Sequence, residues 1–223
     1  MIQIVCIDIS PIDETEYRRL YGAASPRRQA RADRMRLFAD RVRCVAGDAL
    51  IRYALCVRGI PGCYRMDTGT HGKPFLPDAP DLCFSLSHSG RWAAIAWGNR
   101  PVGLDLETVA PRPTAEALAR RRFAPAEQAY LAAAPEGERL LRFYRLWTAK
   151  EAYVKYLGTG LTRSLASFSV VPPDAAGVPL HWRMLPGCCL CLCAPDDDVR
   201  LSVLPAAQLT TLHDKFPGFR IGE

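Results

Sequence analysis

Two acidic residues, Asp105 and Glu107, lie two positions apart in the string Gly103-Leu104-Asp105-Leu106-Glu107. The alternation with leucine predicts a strand, in which both carboxylates point to the same face, about 7 Å apart. Carboxylate oxygens are ligands that Mg²⁺ prefers. The spacing therefore suits a metal site, and a strand end that carries two solvated acids is the alternative.

A second candidate lies on a predicted helix, where Trp147, Glu151 and Lys155 recur at every fourth position. Residues at this spacing form one stripe along a helix. Glu151 could supply a third oxygen to a metal ion, and Lys155 a positive charge one turn further on. The alternative is an ordinary Glu–Lys surface pair, worth about 0.2–0.5 kcal/mol, with Trp147 in the core.

Two turns carry groups that could bind phosphate. One contains Ser87, His88 and Ser89, and the other contains Lys73 within His71-Gly72-Lys73-Pro74. Hydroxyl groups, imidazole and ammonium can all donate hydrogen bonds to a phosphate, although such residues also occur simply as turn formers. A Ser-His hydrolase is disfavoured because there is no Gly-x-Ser-x-Gly elbow and adjacent strand residues point apart.

The composition is that of a globular protein, with 49% hydrophobic and 23% charged residues. No apolar run is long enough for a membrane helix, and Met1 to Asp8 does not resemble a signal peptide, so we expect a cytoplasmic protein without a membrane partner. The nine cysteines are odd in number and lie in apolar stretches, as reduced thiols do. Cys189, Cys191 and Cys193 would line one face of a strand rather than converge on zinc.

The formal net charge of +6 is concentrated near the beginning of the chain, where many of the arginines lie. Such a region attracts anions. Nucleic-acid binding would call for aromatic residues between the arginines or a known motif, and neither is present. We therefore expect a different anionic ligand and no nucleic-acid partner.

The elements that must position these residues follow from apolar periodicity and turn signals. A strand at Gln3–Ile9 precedes a helix that begins at Ser25-Pro26 and a helix at Phe38–Val57. The next predicted strands, which we expect to form an antiparallel meander, are Leu82–Ser87, Trp92–Trp97 and Val102–Leu106.

The second part of the chain repeats this order of helices followed by strands. The predicted helices are Ala115–Phe123, Glu127–Ala133 and Leu140–Leu157, and the predicted strands are Phe168–Val171, Leu180–Met184, Cys189–Cys193 and Val199–Leu204. The fold class is thus α+β, with two similar halves, 1–104 and 105–223, each a small, mainly antiparallel sheet packed with helices. A cleft between halves is a natural place for a site.

Several strings in this order resemble one family, the 4'-phosphopantetheinyl transferases of the surfactin-synthetase-activating type. They cover nearly the whole chain and are Ser25-Pro26-Arg27-Arg28, Gly47-Asp48-Ala49-Leu50-Ile51-Arg52, Gly72-Lys73-Pro74, Phe84-Ser85-Leu86-Ser87-His88-Ser89, Val102-Gly103-Leu104-Asp105-Leu106-Glu107 and the run from Phe143 to Leu161. The resemblance implies a pseudo-twofold monomer that transfers phosphopantetheine from coenzyme A to a serine of a carrier protein and releases adenosine 3',5'-bisphosphate.

The resemblance also implies roles for individual residues. Mg²⁺, or alternatively Mn²⁺, would be held by Asp105, Glu107 and Glu151. The nucleotide part of coenzyme A would be held by Arg28, Arg31, Lys73, Ser87 and His88. Cys44 departs from a hydroxyl residue near the 3'-phosphate in the family, and Arg43 beside it is expected to compensate.

For the chemical step we expect Lys155 and His88 to stabilise charge on the leaving side, with Lys155 also contacting coenzyme A. Glu151 is the first candidate for the base that deprotonates the serine and Glu127 the second, while Lys150 is expected to meet the substrate or a neighbouring acid. The partner would be an acidic acyl or peptidyl carrier protein of fatty-acid, polyketide or nonribosomal-peptide synthesis. A magnesium-dependent phosphohydrolase of nucleotide-like substrates is the alternative function.

Overall fold

The computed structural model describes residues 1–60, 64–171, 174–175, 177–195, 198–211 and 221–222; Cys63 lies outside these ranges. The helices are α1 (Glu14–Ala23), α2 (Pro26–Asp33), α3 (Phe38–Val57), α4 (Ala115–Arg122), α5 (Pro125–Ala132), α6 (Glu136–Leu157) and α7 (Ala206–Thr210). Two 3₁₀ turns, Gly160–Thr162 and Leu165–Ser167, follow α6. In the described ranges, no helix combines the length and the apolar character needed to cross a membrane.

The strands form two four-stranded sheets, of order β11-β1-β6-β5 and β7-β10-β9-β8, and two short pairs, β2 with β12 and β3 with β4. Their bounds are β1 (Ile2–Asp8), β2 (Tyr64–Arg65), β3 (Asp67–Thr68), β4 (Pro74–Phe75), β5 (Cys83–Ser89), β6 (Trp92–Gly98), β7 (Gly103–Thr108), β8 (Asp174–Ala175), β9 (Val178–Leu185), β10 (Cys188–Cys193), β11 (Val199–Leu204) and β12 (Ile221–Gly222). Among the described strands of the two large sheets, only the β1–β11 pair is parallel. The predicted α+β class with mainly antiparallel sheets is confirmed.

The two large sheets pack face to face, with helices on their outer faces. Strand alternation explains this arrangement, because Ile4 and Cys6 of β1 lie in the apolar layer between the sheets, while Val5 and Ile7 pack on the helical side. In β10, Cys189, Cys191 and Cys193 line one face, as expected, and are buried in the core beneath α6. The pseudo-twofold relation and the division at residue 104 stay predictions, since β11 and α7 pack with the first sheet.

Most predicted elements are confirmed within a few residues, and α3 has the predicted bounds. Ser25 caps α2 as expected, because its hydroxyl oxygen accepts the N–H of Arg28 at 3.3 Å. The sequence analysis missed α1, although Asp13 is an N-cap whose carboxylate accepts the N–H of Glu16 at 2.8 Å. That cap, followed by buried Tyr17 and Leu20 at helical spacing, is the signal that would have identified it.

The predicted three-stranded meander is wrong, because β7 belongs to the other sheet. β5 and β6 form the expected hairpin, whereas β7 pairs with β10. The edge of β5 contacts β7 through serine side chains, with Ser85 Oγ accepting the N–H of Leu104 at 2.9 Å. The Ser85 hydroxyl thus takes the place of a backbone carbonyl as acceptor between β5 and β7. The chain passes from the first large sheet to the second between β6 and β7.

The predicted strand at 168–171 is also wrong, because its backbone groups bind a buried ion pair. The ammonium group of Lys150 donates to both carboxylate oxygens of Glu127, at 2.7 and 2.6 Å, and to the carbonyl of Phe168 at 2.7 Å. Glu127 in turn accepts the N–H groups of Ala124 and Val170 at 2.7 and 2.8 Å. Lys150 therefore meets a neighbouring acid, one of the two expected partners.

We expect Lys150→Met to destabilise the fold by about 3–5 kcal/mol, because it leaves the Glu127 carboxylate buried without its cation. Both side chains are fully buried. Urea unfolding of the full chain would measure the loss. The double variant Glu127→Gln with Lys150→Met is the control and should recover part of the stability, because it removes the unpaired charge; a single variant as stable as the wild type would contradict this account.

Candidate active site

A cavity of about 400 Å³ lies between α2, α3, the β5 strand and the β7 strand. Its apolar lining includes Leu50, Met66 and Leu86. The predicted site residues that line it are Arg28, Arg31, Arg43, Ser87, His88, Asp105, Glu107 and Lys155. The structure therefore brings together in one cavity residues that are widely separated in the sequence.

Asp105 lies at the centre of the polar contacts in this cavity. Its Oδ1 atom accepts hydrogen bonds from the Lys155 ammonium group at 2.7 Å and from the Ser87 hydroxyl at 2.9 Å. Its Oδ2 atom is buried and has no hydrogen-bond partner among the described residues. A buried carboxylate oxygen without a partner is costly in a protein, and this atom is thus available to a bound cation.

Glu107 and Glu151 complete a cluster of negative charge around Asp105. Burial raises the pKa of Glu107 above its usual range, and the charge of Asp105 adds to this effect. Burial likewise raises the pKa of Glu151, helped by the charges of Asp105 and Glu107. Glu151 does not line the cavity, yet it lies close enough to both carboxylates to repel them. Over the ranges that the structure covers, no group of three or more His, Cys, Asp or Glu residues is arranged as a metal site.

Gly103 fixes how closely α6 approaches β7, and hence how Glu151 and Lys155 meet Asp105. A Cβ atom at this position would lie 1.9 Å from the carbonyl oxygen of Ala152 and 2.3 Å from the backbone nitrogen of Tyr156. Only glycine allows a helix backbone to lie this close to a strand. The strand and the helix that carry the candidate site are therefore in direct backbone contact.

Arg28 is held at the opposite wall of the cavity by a buried acid. Its Nε donates to Asp48 Oδ1 at 2.8 Å, while Asp48 Oδ2 accepts from the backbone and hydroxyl of Ser25 at 3.0 and 2.8 Å. Asp48 is fully buried and so fixes the start of α2 against α3. The Arg28 guanidinium packs beside Gly47, where an added Cβ atom would lie 3.6 Å from Nη2.

The other predicted cations of this wall, Arg31 and Arg43, differ in how firmly neighbouring groups hold their side chains. Arg31 is exposed, whereas Arg43 pairs with Asp40 and donates to the carbonyl of Gly90. Cys44 lines the cavity beside them, and burial raises the pKa of its thiol. The wall therefore combines an exposed arginine, Arg31, with an anchored one, Arg43.

His88 lies at the rim of the cavity, and its pKa is lowered by loss of surrounding water and by the charges of Lys155, Arg43 and Arg31. An anion bound among these cations would offset their charges and favour the imidazolium form. We therefore expect adenosine 3',5'-bisphosphate to raise the His88 pKa, measured by NMR titration with His88→Gln to identify its resonance. An unchanged or lowered pKa at saturating ligand would show that the anion does not bind among these cations.

Two predicted residues lie elsewhere. The Lys73 ammonium group does not line the cavity but donates to the carbonyls of Val102 and Tyr156, both at 3.1 Å, and burial lowers its pKa. It thus connects its own loop to the beginning of β7 and to the end of α6. Glu127, the second candidate for the base, is fully buried in its ion pair with Lys150 and away from the cavity.

The sequence analysis gave no role to Arg27 or Asp48, and it considered Ser89 only as a possible phosphate ligand, yet the structure brings all three to this site. Arg27 lines the cavity beside Arg28, Asp48 orients Arg28, and the Ser89 hydroxyl donates to Glu107 Oε2 at 2.9 Å. A signal for Asp48 was present, because an acid among the apolar residues of α3 is buried only when it is paired. Nothing in the sequence indicates the partner of Ser89.

Comparison with known proteins places the chain in a family. The family described as the 4'-phosphopantetheinyl transferase superfamily matches residues 101–203. The chain is 36% identical to 4'-phosphopantetheinyl transferase Sfp of Bacillus subtilis, over 72% of this chain and 71% of that protein. It is 33% identical to 4'-phosphopantetheinyl transferase HetI of Nostoc sp., over 88% of this chain and 85% of that protein.

A solved structure, holo-[acyl-carrier-protein] synthase of Thermotoga maritima, matches 43% of this chain and 64% of its own at 20% identity, with a TM-score of 0.34, which is too weak to bear on the fold. The sequence relatives define the class of protein, which is that of group-transfer enzymes. The chain belongs to the 4'-phosphopantetheinyl transferase superfamily. The resemblance drawn from the sequence strings is thereby confirmed.

Proposed function

We propose that this protein transfers the 4'-phosphopantetheine group of coenzyme A to a serine of an acyl or peptidyl carrier protein, with Mg²⁺ held by Asp105, Glu107 and Glu151. The observation that carries the proposal is the buried, unpartnered Oδ2 atom of Asp105, a residue that lines a cavity with arginines on its other wall. A diphosphate needs cations, and a divalent ion needs oxygen ligands. Both are available around one cavity in a member of the transferase family.

The donor set fits a divalent cation of the magnesium type. All three proposed ligands are carboxylates, which suit Mg²⁺ and Mn²⁺. Burial raises the pKa values of Glu107 and Glu151, and the negative charges held close together there add to this effect. When bound, the ion would neutralise charge on the pyrophosphate that is cleaved.

The chain's own groups then bind and orient the substrate. Arg28, Arg31 and Arg43 attract the phosphates of the nucleotide portion, and Arg28 is held in place for this by Asp48. His88, at the end of β5, can donate to the diphosphate. Ser87 beside it lines the cavity and can contact the substrate, while its hydroxyl proton goes to Asp105 Oδ1. Lys73 acts indirectly, because its ammonium group binds the backbone carbonyls of Val102 and Tyr156 and so connects the segments that carry the site.

The transfer itself requires a base for the serine and a stabilised leaving group. Glu151 is our candidate for the base, because it lies near Asp105 and Glu107, and burial with the charges of these acids raises its pKa and so its tendency to accept a proton. Lys155 lies beside Asp105 and, with His88, stabilises the charge that develops on adenosine 3',5'-bisphosphate. These contributions are electrostatic and positional.

We assign as partner an acidic carrier protein, which the net charge of +6 would attract. We also assign a cytoplasmic location and a monomeric state. The eight cysteines of the described residues are all free thiols, which is typical of a reducing compartment.

Intact-mass spectrometry of an apo carrier protein, incubated with this protein, coenzyme A and Mg²⁺, tests the proposed function. We expect the carrier to gain the mass of one phosphopantetheine group, and coenzyme A to stay intact when the carrier is omitted. Hydrolysis of coenzyme A without a carrier, and no gain on acyl or peptidyl carriers, would instead establish the phosphohydrolase. Omitting the metal ion should abolish the gain.

A further inference from the structure

Three serines on β5 connect the edges of the two sheets. The hydroxyl oxygens of Ser85, Ser87 and Ser89 accept the backbone N–H groups of alternate β7 residues, and the distances are 2.9 Å to Leu104 N, 3.2 Å to Leu106 N and 3.0 Å to Thr108 N. The spacing of two residues on both strands places the three serines on one face. We call these three residues the serine ladder.

Two members of the serine ladder also contact the carboxylates of the candidate site. The Ser87 hydroxyl lies 2.9 Å from Asp105 Oδ1, and the Ser89 hydroxyl lies 2.9 Å from Glu107 Oε2. A hydroxyl group has one proton to donate. A carboxylate can only accept, so that proton is directed to it in each case; for Ser89 the other neighbouring oxygen, Thr108 Oγ1, is more distant at 3.4 Å.

The consequence is that each serine engages one oxygen of an acid and leaves the other available. For Asp105 the remaining oxygen is the buried, unpartnered Oδ2. For Glu107 the remaining oxygen is Oε1. The backbone of β7 thus orients the hydroxyl groups, and these orient the carboxylates that the same strand carries.

We propose that Ser89 is a positioning residue for the metal site, holding Glu107 by Oε2 so that Oε1 faces the cation, as Ser87 holds Asp105. This inference rests on the proposed metal ligands. Ser87 lines the cavity and could also touch substrate, but Ser89 does not line it. Outer hydrogen bonds of this kind fix the orientation of metal ligands and strengthen metal binding.

The local structure holds Ser89 in place for this role. Gly90 follows it with φ of 55°, and a Cβ atom there would lie 2.4 Å from Thr108 Oγ1. The turn after β5 therefore lies directly against the end of β7. Arg43 donates to the carbonyl of Gly90 and links this turn to the arginine wall.

Binding of Mn²⁺ to the full chain, measured by electron paramagnetic resonance with adenosine 3',5'-bisphosphate present, tests the proposal without relying on turnover. We expect Ser89→Ala to weaken Mn²⁺ affinity by about 10- to 100-fold. Ser85→Ala is the matched control, because it removes an acceptor from the same ladder but contacts neither acid. Both variants should lower the melting temperature, and only Ser89→Ala should change metal affinity.

Two further measurements, on Ser89→Thr and on the wild type, separate the role of Ser89 from the existence of the metal site. Ser89→Thr keeps a hydroxyl on a strand that tolerates β-branched residues, and it should restore Mn²⁺ affinity. Equal affinities for Ser89→Ala and Ser85→Ala, with a wild type that binds Mn²⁺, would overturn the role of Ser89. A wild type that binds no Mn²⁺ would instead overturn the proposed metal site.

Discussion

Replacing Gly103 by alanine is expected to destabilise the protein by about 3 kcal/mol or more and to abolish transfer. The added methyl group would lie 1.9 Å from the carbonyl oxygen of Ala152 and 2.3 Å from the nitrogen of Tyr156. Both obstacles are helix backbone, which cannot move aside as a side chain can. The helix must therefore shift away from β7, and Glu151 and Lys155 move with it.

Gly137→Ala provides the matched control for this variant. Gly137 lies on the same helix, α6, and an added Cβ there would meet no atom within 4 Å. Alanine is the better helix former, by about 1 kcal/mol. Chemical unfolding of both variants, together with the carrier assay, would test the contrast; a Gly103→Ala protein as stable and active as the wild type would show that α6 is not held by this contact.

The replacement Glu151→Gln is expected to change stability and activity in opposite directions. Burial and the charges of Asp105 and Glu107 raise the pKa of this acid, so the folded state disfavours the ionised form. Removing the charge should leave the protein as stable as the wild type or more so at neutral pH. Transfer should nevertheless fall by about 100-fold or more, because the amide is a poor metal ligand and no base.

Thermal unfolding and the intact-mass assay, run on the same preparation, would measure both effects. Glu138→Gln is the control, since Glu138 lies on α6 in an exposed pair with Arg142 and exposed pairs contribute little. We expect that variant to transfer at the wild-type rate. Full activity of Glu151→Gln would contradict the proposed role of Glu151. Any dependence on a metal ion would then have to come from the two carboxylates of β7, Asp105 and Glu107.

The elements of the fold were predictable where local pattern decides them. The periodicity of α3 and the alternation in β10 reflect the faces that each element buries. The partner of β7 was not predictable, because short spacing from β6 favours a hairpin, and only the contact of Ser85 with Leu104 shows the strand passing to the other sheet. Likewise, the apolar segment at Phe168 resembles a strand, but its carbonyl binds Lys150 instead.

For the candidate site, the sequence predicted which residue types are present better than it predicted where their side chains point. Asp105 and Lys155 were expected in one cavity, and the structure joins them at 2.7 Å. Lys73 has the same chemistry as Lys155, yet its ammonium group binds backbone carbonyls. A short sequence motif shows that a lysine is present. The direction in which its side chain points depends on how β7 and α6 pack against each other, and that packing involves residues far apart in the sequence.

The parallel pairing of β1 with β11 governs the order in which this protein can fold during synthesis. Ile2 lies opposite Val199, so the first sheet has one of the highest contact orders that the chain allows. While the ribosome translates the intervening residues, β1 has an open edge of the kind that promotes aggregation. A nascent chain therefore cannot complete the first sheet until residues 199–204 emerge, and expressing the halves 1–104 and 105–223 separately would leave this sheet without β11.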